Sequence, residues 1–473
     1  MNFKINFIYI FLSLFFSCKS QDALHIVNDD IFGFATSNTF TYCDINDTFF
    51  VNKVKDMNPK VLRFPGGAMG NFYHYGGIGY GFDFEEIEKY DAGKFVERSQ
   101  SLYAAALEKG HTYDYINDFI TLAKHTNSKV ILVANMFANN DDIIKMIRHI
   151  QSHDIEIIGV ELGSELSNRS FYIKGYTIDN YIEDAKLCSD RIKNEFPNMR
   201  TGIVAAPLNT NPLHRHSIWN KRLAKMDFFD NIIIHSYAKV LKGKKEYGEM
   251  IKVIPEADTK EESFNIYRDR TIDFILNKFP KEIKGYNILF NKDIWITEWN
   301  FQMSRITANT MLQALFVSNY LLSIMSNNDL SSIVLTTYHN LGGRDYGGSI
   351  FRGDKEYLEI HSTYTPFKMI GEVFKKDITH IDCKVQNNIM TYQCYNSQRD
   401  LDLVFIINWN NKMVNFKLDM NQNARLHHVS TFYSDNLFDN SDRDGKLKSK
   451  DYDLKKDHLV LDRYSITMIS SFE

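Results

Sequence analysis

A chain of 473 residues is too long for one average domain and about right for a barrel with a small appendage. Hydrophobic residues make up 44% and charged residues 24%, the balance of a soluble globular protein, and a net charge of −4 argues against a general nucleic-acid binder. Aromatic residues reach 14%, enough to serve a core and leave an excess compatible with stacking on sugar rings.

The first elements read as an address. Lys4 supplies a positive start, Ile5 to Phe16 is an apolar run too short to span a membrane stably, and Ser17-Cys18 ends it. This resembles a bacterial lipoprotein signal over residues 1–18. Cys18 would become the lipidated first residue of a protein tethered at the cell envelope, with plain secretion as the alternative.

From about residue 30, short apolar runs alternate with helical patterns, which argues for a parallel sheet. Ile31 to Ser37 reads as the first strand, Phe49 to Met57 as helical, and Val61 to Phe64 as the second strand, stopped by Pro65-Gly66-Gly67. The next forty-odd residues, rich in Gly and Tyr, read as one long functional loop that includes Asn71-Phe72-Tyr73-His74-Tyr75. Asp83, Glu85 and Glu86 within it read as a solvated face. Strands are expected at Lys129 to Ala134, Ile157 to Glu161, Thr201 to Ala205, Asn231 to Ile234, Asp293 to Thr297 and Ser332 to Thr337. Helices are expected at Tyr113 to His125, Asp141 to Ser152, Ile178 to Phe196, Asn265 to Phe279 and Ala308 to Ser326.

Eight strand signals with helices between them predict an α/β (β/α)8 TIM barrel over residues 24–375. Past Phe374 the helical signals stop. Ile381 to Tyr395, Leu403 to Trp409, Val414 to Leu418, Leu426 to Tyr433 and Leu459 to Ser471 read as strands of a small antiparallel β-sandwich over residues 376–473, with Asp439 to Lys455 a charged, solvated loop. Cys383 and Cys394 flank an expected hairpin and are read either as a disulfide or as buried thiols. No metal spacing, phosphate loop or dinucleotide fingerprint is present, so the reading includes no metal and no organic cofactor.

Chemistry in such a barrel sits at the carboxyl ends of the strands. Those ends carry Arg63, Asn135, Glu165, His235, Tyr237, Glu298 and His339. Two carboxylates, Glu165 after the fourth strand and Glu298 after the seventh, are what glycoside hydrolysis needs: one protonates the leaving oxygen, the other attacks the anomeric carbon or activates water. Each has a plainer reading. Arg63 also suits a structural ion pair, His235 a satisfied core histidine and His339 a structural role; Glu161 lies deeper in its strand, and Asn135 suits a residue that satisfies a loop. The run His214-Arg215-His216 with Lys221 and Arg222, and Arg344 after the last strand, read as surface or as contacts to an anionic polymer.

Four segments in order carry a resemblance: Leu62-Arg63-Phe64-Pro65-Gly66-Gly67, Glu161-Leu162-Gly163-Ser164-Glu165, His235-Ser236-Tyr237 and Thr297-Glu298-Trp299. They resemble the retaining glycosidases of glycoside hydrolase clan A, nearest the family 51 α-L-arabinofuranosidases, with β-glucuronidase- or heparanase-like and β-xylosidase members behind. The resemblance implies Glu165 as acid/base and Glu298 as nucleophile, with Arg63 and either Tyr237 or His235 orienting Glu298. Trp299, Tyr73, His74 and the neighbouring aromatics would line the sugar site, with Asn135 and His339 at its edge. Where the family usually has Asn before the acid/base, this chain has Ser164, which bears on how the sugar 2-position is read. Another clan A specificity, or a non-catalytic surface carbohydrate-binding protein on a decayed barrel, remain the rival readings.

Overall fold

The computed structural model describes residues 26–471, apart from residues 94, 139, 241–256, 258, 303–306, 345–347, 354–356, 419–425, 442–445 and 455–457. The expected signal and Cys18 lie outside the described residues. Among those described, no helix is long and apolar enough to cross a membrane.

Eight parallel strands close into a barrel: β1 (Gly33–Ala35), β2 (Val61–Phe64), β3 (Lys129–Val133), β4 (Ile157–Leu162), β5 (Arg200–Val204), β6 (Asn231–Ala238), β7 (Ile294–Phe301) and β8 (Ile333–His339). Closure is made by β1 against β8, where Ala35 pairs with His339. The seam requires glycine at Gly33, because a Cβ there would sit 2.5 Å from the Thr336 carbonyl. Trp295 of β7 fills the barrel interior across a notch formed by Gly159 of β4 and Gly202 of β5. A Cβ at either glycine would stand 2.5 Å or 2.9 Å from the indole. Large against small is how a barrel interior packs to density.

The expected loop after β2 is largely helical, a correction to the sequence reading. A 3-10 turn covers Ala68–Phe72, and helices cover Phe84–Tyr90 and Phe95–Glu108. Asp83 caps the first of these through the Glu85 and Glu86 amides, so the acidic run starts a helix instead of merely facing solvent. The helix before β7 also runs further than expected. Lys260–Asp273 continues through a π turn to Phe279–Phe290, because Pro280 falls where a helix tolerates a missing amide.

Beyond the barrel, β9 (Gly342–Gly343), β10 (Phe351–Gly353) and β11 (Leu358–Ile360) form a small sheet. The trailing domain follows: β12 (Ile378–Gln386), β13 (Ile389–Asn396), β14 (Leu401–Asn408), β15 (Val414–Lys417), β16 (Leu426–Tyr433), β17 (Lys448–Asp453), β18 (His458–Leu461) and β19 (Ser465–Ser471). Six of these form one antiparallel sheet in the order β12-β13-β14-β19-β16-β17, faced by the pair β15-β18. Alternation along β14 explains its unbroken apolar run. Val404 and Ile406 bury between the two sheets, while Leu403, Phe405 and Ile407 join the barrel's core. The strand β17 replaces part of the expected charged loop; its Lys and Asp residues mark it as a protected sheet edge. Cys383 and Cys394 are free thiols, because the register sets Cys383 opposite Tyr392 and Cys394 opposite Ile381.

The helix Met311–Ser326 is buried on every side from Met311 to Met325. On one flank Tyr320 stacks on Trp299 of β7. On the other, Ser323 and Asn319 hydrogen-bond Tyr392 of β13. Barrel and sandwich therefore share one wall.

Candidate active site

Arg63, at the end of β2, is fully buried and forks onto two carboxylates. Its Nε and Nη2 donate to Glu161 Oε1 and Oε2 at 2.6 and 2.9 Å, and its Nη1 donates to Glu298 Oε1 at 2.9 Å. A buried guanidinium needs such partners, and burial of the carboxylates needs the guanidinium. Glu161 is thus the deep, structural carboxylate, as its place in β4 suggests.

A register irregularity in β7 shapes the rest. The pairing with β6 and β8 shifts around Thr297, so that Thr297 and Glu298 both face inward. Thr297 Oγ1 donates to Glu161 Oε2 at 3.1 Å. Glu298 Oε2 accepts from Tyr237 Oη at 2.6 Å and lies 3.5 Å from His235 Nδ1 and 3.4 Å from His339 Nδ1. Glu298 as a residue is 3% exposed. Burial alone would raise its pKa, but the field of His235, His339 and Arg63 and the Tyr237 hydrogen bond hold it well below the carboxylate range. His339 is itself lowered by burial, against the pull of Glu298 and with Arg63, Arg98 and His235 adding to the lowering.

Glu165 comes from the turn after β4. Its backbone has φ of 51°, the left-handed region, which a non-glycine residue occupies only when its surroundings hold it there. The holding group is Asn71, which sequence reasoning placed only in an aromatic loop. Its Oδ1 accepts from the Ser164 amide at 2.8 Å and its Nδ2 donates to the Ser164 carbonyl at 2.6 Å. Asn168 Nδ2 donates to Glu165 Oε2 at 2.8 Å. His235 Nδ1 lies 3.0 Å from Glu165 Oε1, and ligand-type atoms of Glu165, His235 and Glu298 all fall within 4.8 Å of one another. His235 is buried, which opposes its charge, yet Glu298 and Glu165 outweigh burial and raise its pKa. A protonated ring donates from both nitrogens, and Thr297 Oγ1, 3.4 Å from Nε2, is the second acceptor.

The structure thus brings together Arg63, Ser164, Glu165, His235, Tyr237, Glu298 and His339. Ser164 is buried with its Oγ 3.4 Å from Arg63 Nη2. Four expected sugar contacts are placed elsewhere. Trp299 points out of the barrel into the shared wall, because alternation turns the neighbour of an inward Glu298 outward. Tyr73 is buried against Phe64 and donates to Asp114 Oδ2 at 2.6 Å. His74 is held between Asp142 at 3.1 Å and Glu86 at 3.2 Å. Asn135 has its oxygen on the Phe137 and Ala138 amides and its NH2 on Glu86 and the Tyr73 carbonyl.

Asn300 follows the Thr297-Glu298-Trp299 segment directly. It is buried and donates to Tyr338 Oη, the His339 carbonyl and the Gly348 carbonyl, fixing the mouth ends of β7 and β8. An amide directly after the Glu298-Trp299 pair was the available signal.

No protein-family model matches the chain, and no curated protein matches it in sequence. Solved structures do match. A GH51 arabinofuranosidase from Xanthomonas axonopodis pv. citri superposes with a TM-score of 0.64 at 10% identity over 95% of this chain and 98% of its own. The α-L-arabinofuranosidase from Thermotoga maritima, in its arabinose complex, gives 0.61 at 14% identity over 95% and 98%. A GH86 protein in complex with neoagarooctaose gives 0.51 at 14% identity over 96% and 76%. At such identities the likeness shows the fold alone: a (β/α)8 barrel with a trailing β-sandwich.

Proposed function

We propose that this chain is a retaining glycoside hydrolase of α-L-arabinofuranosidase-like specificity, acting on a poly- or oligosaccharide through two carboxylates. The observation that carries the reading is the pair itself. Carboxylate oxygens of Glu165 and Glu298 lie within 4.8 Å, matching the separation of about 5–5.5 Å between carboxyl groups in retaining enzymes and leaving no room for the water of an inverting one. Glu298, kept ionised by Arg63, Tyr237 and His235, attacks the anomeric carbon and forms a glycosyl-enzyme. Glu165 gives a proton to the departing oxygen, then takes one from the water that hydrolyses the intermediate. His235 Nδ1 stands between the two, 3.5 Å from Glu298 Oε2 and 3.0 Å from Glu165 Oε1, so it faces whichever of them carries the negative charge. The full-length fold likeness to GH51 arabinofuranosidases supports the choice of sugar.

The test is a panel of aryl glycosides that includes the α-L-arabinofuranoside, with the product anomer followed by NMR. Glu298→Ala should abolish turnover, and azide should yield a glycosyl azide of inverted configuration. Glu165→Ala should lose most on poor leaving groups and keep activated ones, with azide giving a product of retained configuration. Equal loss on every leaving group with no azide response in either variant would overturn the assignment.

We also propose that the protein is lipid-anchored through Cys18 at the cell envelope. Cys18→Ala should move it from the membrane fraction to the soluble fraction; unchanged fractionation removes the anchor.

A further inference from the structure

On the Asn168 side of Glu165, two arginines stand without a carboxylate partner among the described residues. Arg215 donates from Nη1 to the carbonyl of Ser167, two residues past Glu165. Arg169 opens the helix Arg169–Ile173, next to Asn168, whose amide holds Glu165 Oε2. Arg169 is exposed and Arg215 half-buried, and among the described residues neither pairs with a carboxylate. His214 and His216 lie beside them, and Lys239, just past β6, adds a third cation that also faces Glu282. The crowding marks the groups themselves: burial, then Arg169, lowers Arg215, and burial, then Arg215, His214 and Lys239, pushes His216 down to about 4. By contrast Arg222, on the same helix Arg215–Leu223, is neutralised by Asp179. Arginines crowded together without a carboxylate partner are costly.

The place of the cluster gives it a role. An acid/base reaches the oxygen of the leaving group, so the loop that carries Glu165 borders the leaving-group sugar. We propose that this sugar carries a fixed negative charge, a sulfate ester or a uronate carboxylate, received by Arg169 and Arg215. The inference rests on the glycosidase reading and narrows its substrate to an acidic polysaccharide. Guanidinium forks suit either oxyanion, each able to accept two parallel hydrogen bonds.

The test uses the whole chain in affinity electrophoresis through gels containing dextran sulfate, polygalacturonate or neutral dextran, beside turnover of a neutral aryl glycoside. Wild type should be retarded by a charged polymer and not by dextran, and added salt should release it. Retardation by dextran sulfate alone assigns a sulfate; by polygalacturonate alone, a uronate. Arg169→Gln and Arg215→Gln should each weaken retardation about tenfold, the size of one charge-assisted hydrogen bond, and Arg215→Lys should keep part of it. Arg169 is exposed and its side chain makes no hydrogen bond or ion pair among the described residues, so its variant guards against a loss caused by misfolding at Arg215. Free migration in both charged gels, or variants retarded as strongly as wild type, overturns the proposal. Turnover of the aryl glycoside with free migration leaves the glycosidase reading standing without this one. Arginine-dependent retardation with no glycoside turned over keeps the anion site and overturns the catalytic reading.

Discussion

Glu298 shows how one residue's chemistry is set by its donors. Tyr237 supplies the shortest of them, and its removal should raise the carboxyl toward the ordinary range. Tyr237→Phe should therefore shift the acid limb of the kcat/KM profile to higher pH. It should also lower kcat/KM near neutrality about ten- to a hundredfold, the worth of a hydrogen bond to a charged group. An unmoved acid limb would mean that Glu298 is not the ionised group. Arg63 is a matter of stability as well. Arg63→Met strands Glu161 and Glu298 in a buried site and should cost about 3–5 kcal/mol in urea unfolding. At this scale much was readable. Arg63, Glu165, His235, Tyr237 and Glu298 each fall near the end of an expected apolar strand or shortly past it, where a charged or polar group stands out. Asn71 was not readable, because its partners are the backbone atoms of Ser164, and main-chain contacts leave no mark on the partner's side chain.

At the scale of elements, the turn after β4 depends on that same Asn71. Asn71→Ala leaves the Ser164 amide and carbonyl unpaired and frees Glu165 from its left-handed setting. The expected result is a kcat at least about tenfold lower with KM little changed, and Asn71→Asp, which keeps the acceptor, should recover part of it. A second tie joins the segment after β2 to the helices Phe84–Tyr90 and Asp141–Gln151 through His74, Glu86 and Asp142. Hydrogen bonds donated to Asp142 and Glu86 raise His74 to about 10. Its folded value lies above the ordinary 6.5, so its contribution is complete below 6.5 and lost as pH rises through about 10. The stability difference between wild type and His74→Gln should shrink over that window, from on the order of 2 kcal/mol to none, in melts taken across it. The sequence hid these ties for one reason: Gly and Tyr suggested a loop, while the acidic residues that cap and bind there read as solvent-facing. Trp299 misled through the irregularity in β7, since no sequence signal announces that Thr297 and Glu298 share a face.

Across the whole molecule, the barrel and the six-stranded sheet bury one continuous core, and a smaller core fills the sandwich. The order of elements was legible because parallel β/α alternation and its end near residue 375 both have strong periods. The pairing inside the sandwich was not, since β17 is charged and cysteine spacing says nothing of register. Calorimetry should show one unfolding transition, and a chain ending at 375 should be insoluble, because it uncovers the apolar flank of the helix Met311–Ser326. Two separate transitions, or a soluble truncated barrel, would contradict the shared core.

That helix also reaches the mouth. Gln313, in its first turn, donates to Asn300 Oδ1 and Tyr338 Oη, while Asn319 and Ser323, further along, hold Tyr392 of the sandwich. The trailing domain is thus a buttress to the strand ends that carry Glu298 and His339. A protein assembled this way cannot trade its second domain as a cassette. A foreign sandwich grafted at residue 376 would have to bring the sequence of β13 with it, and recombination should favour break points outside both domains over the seam between them.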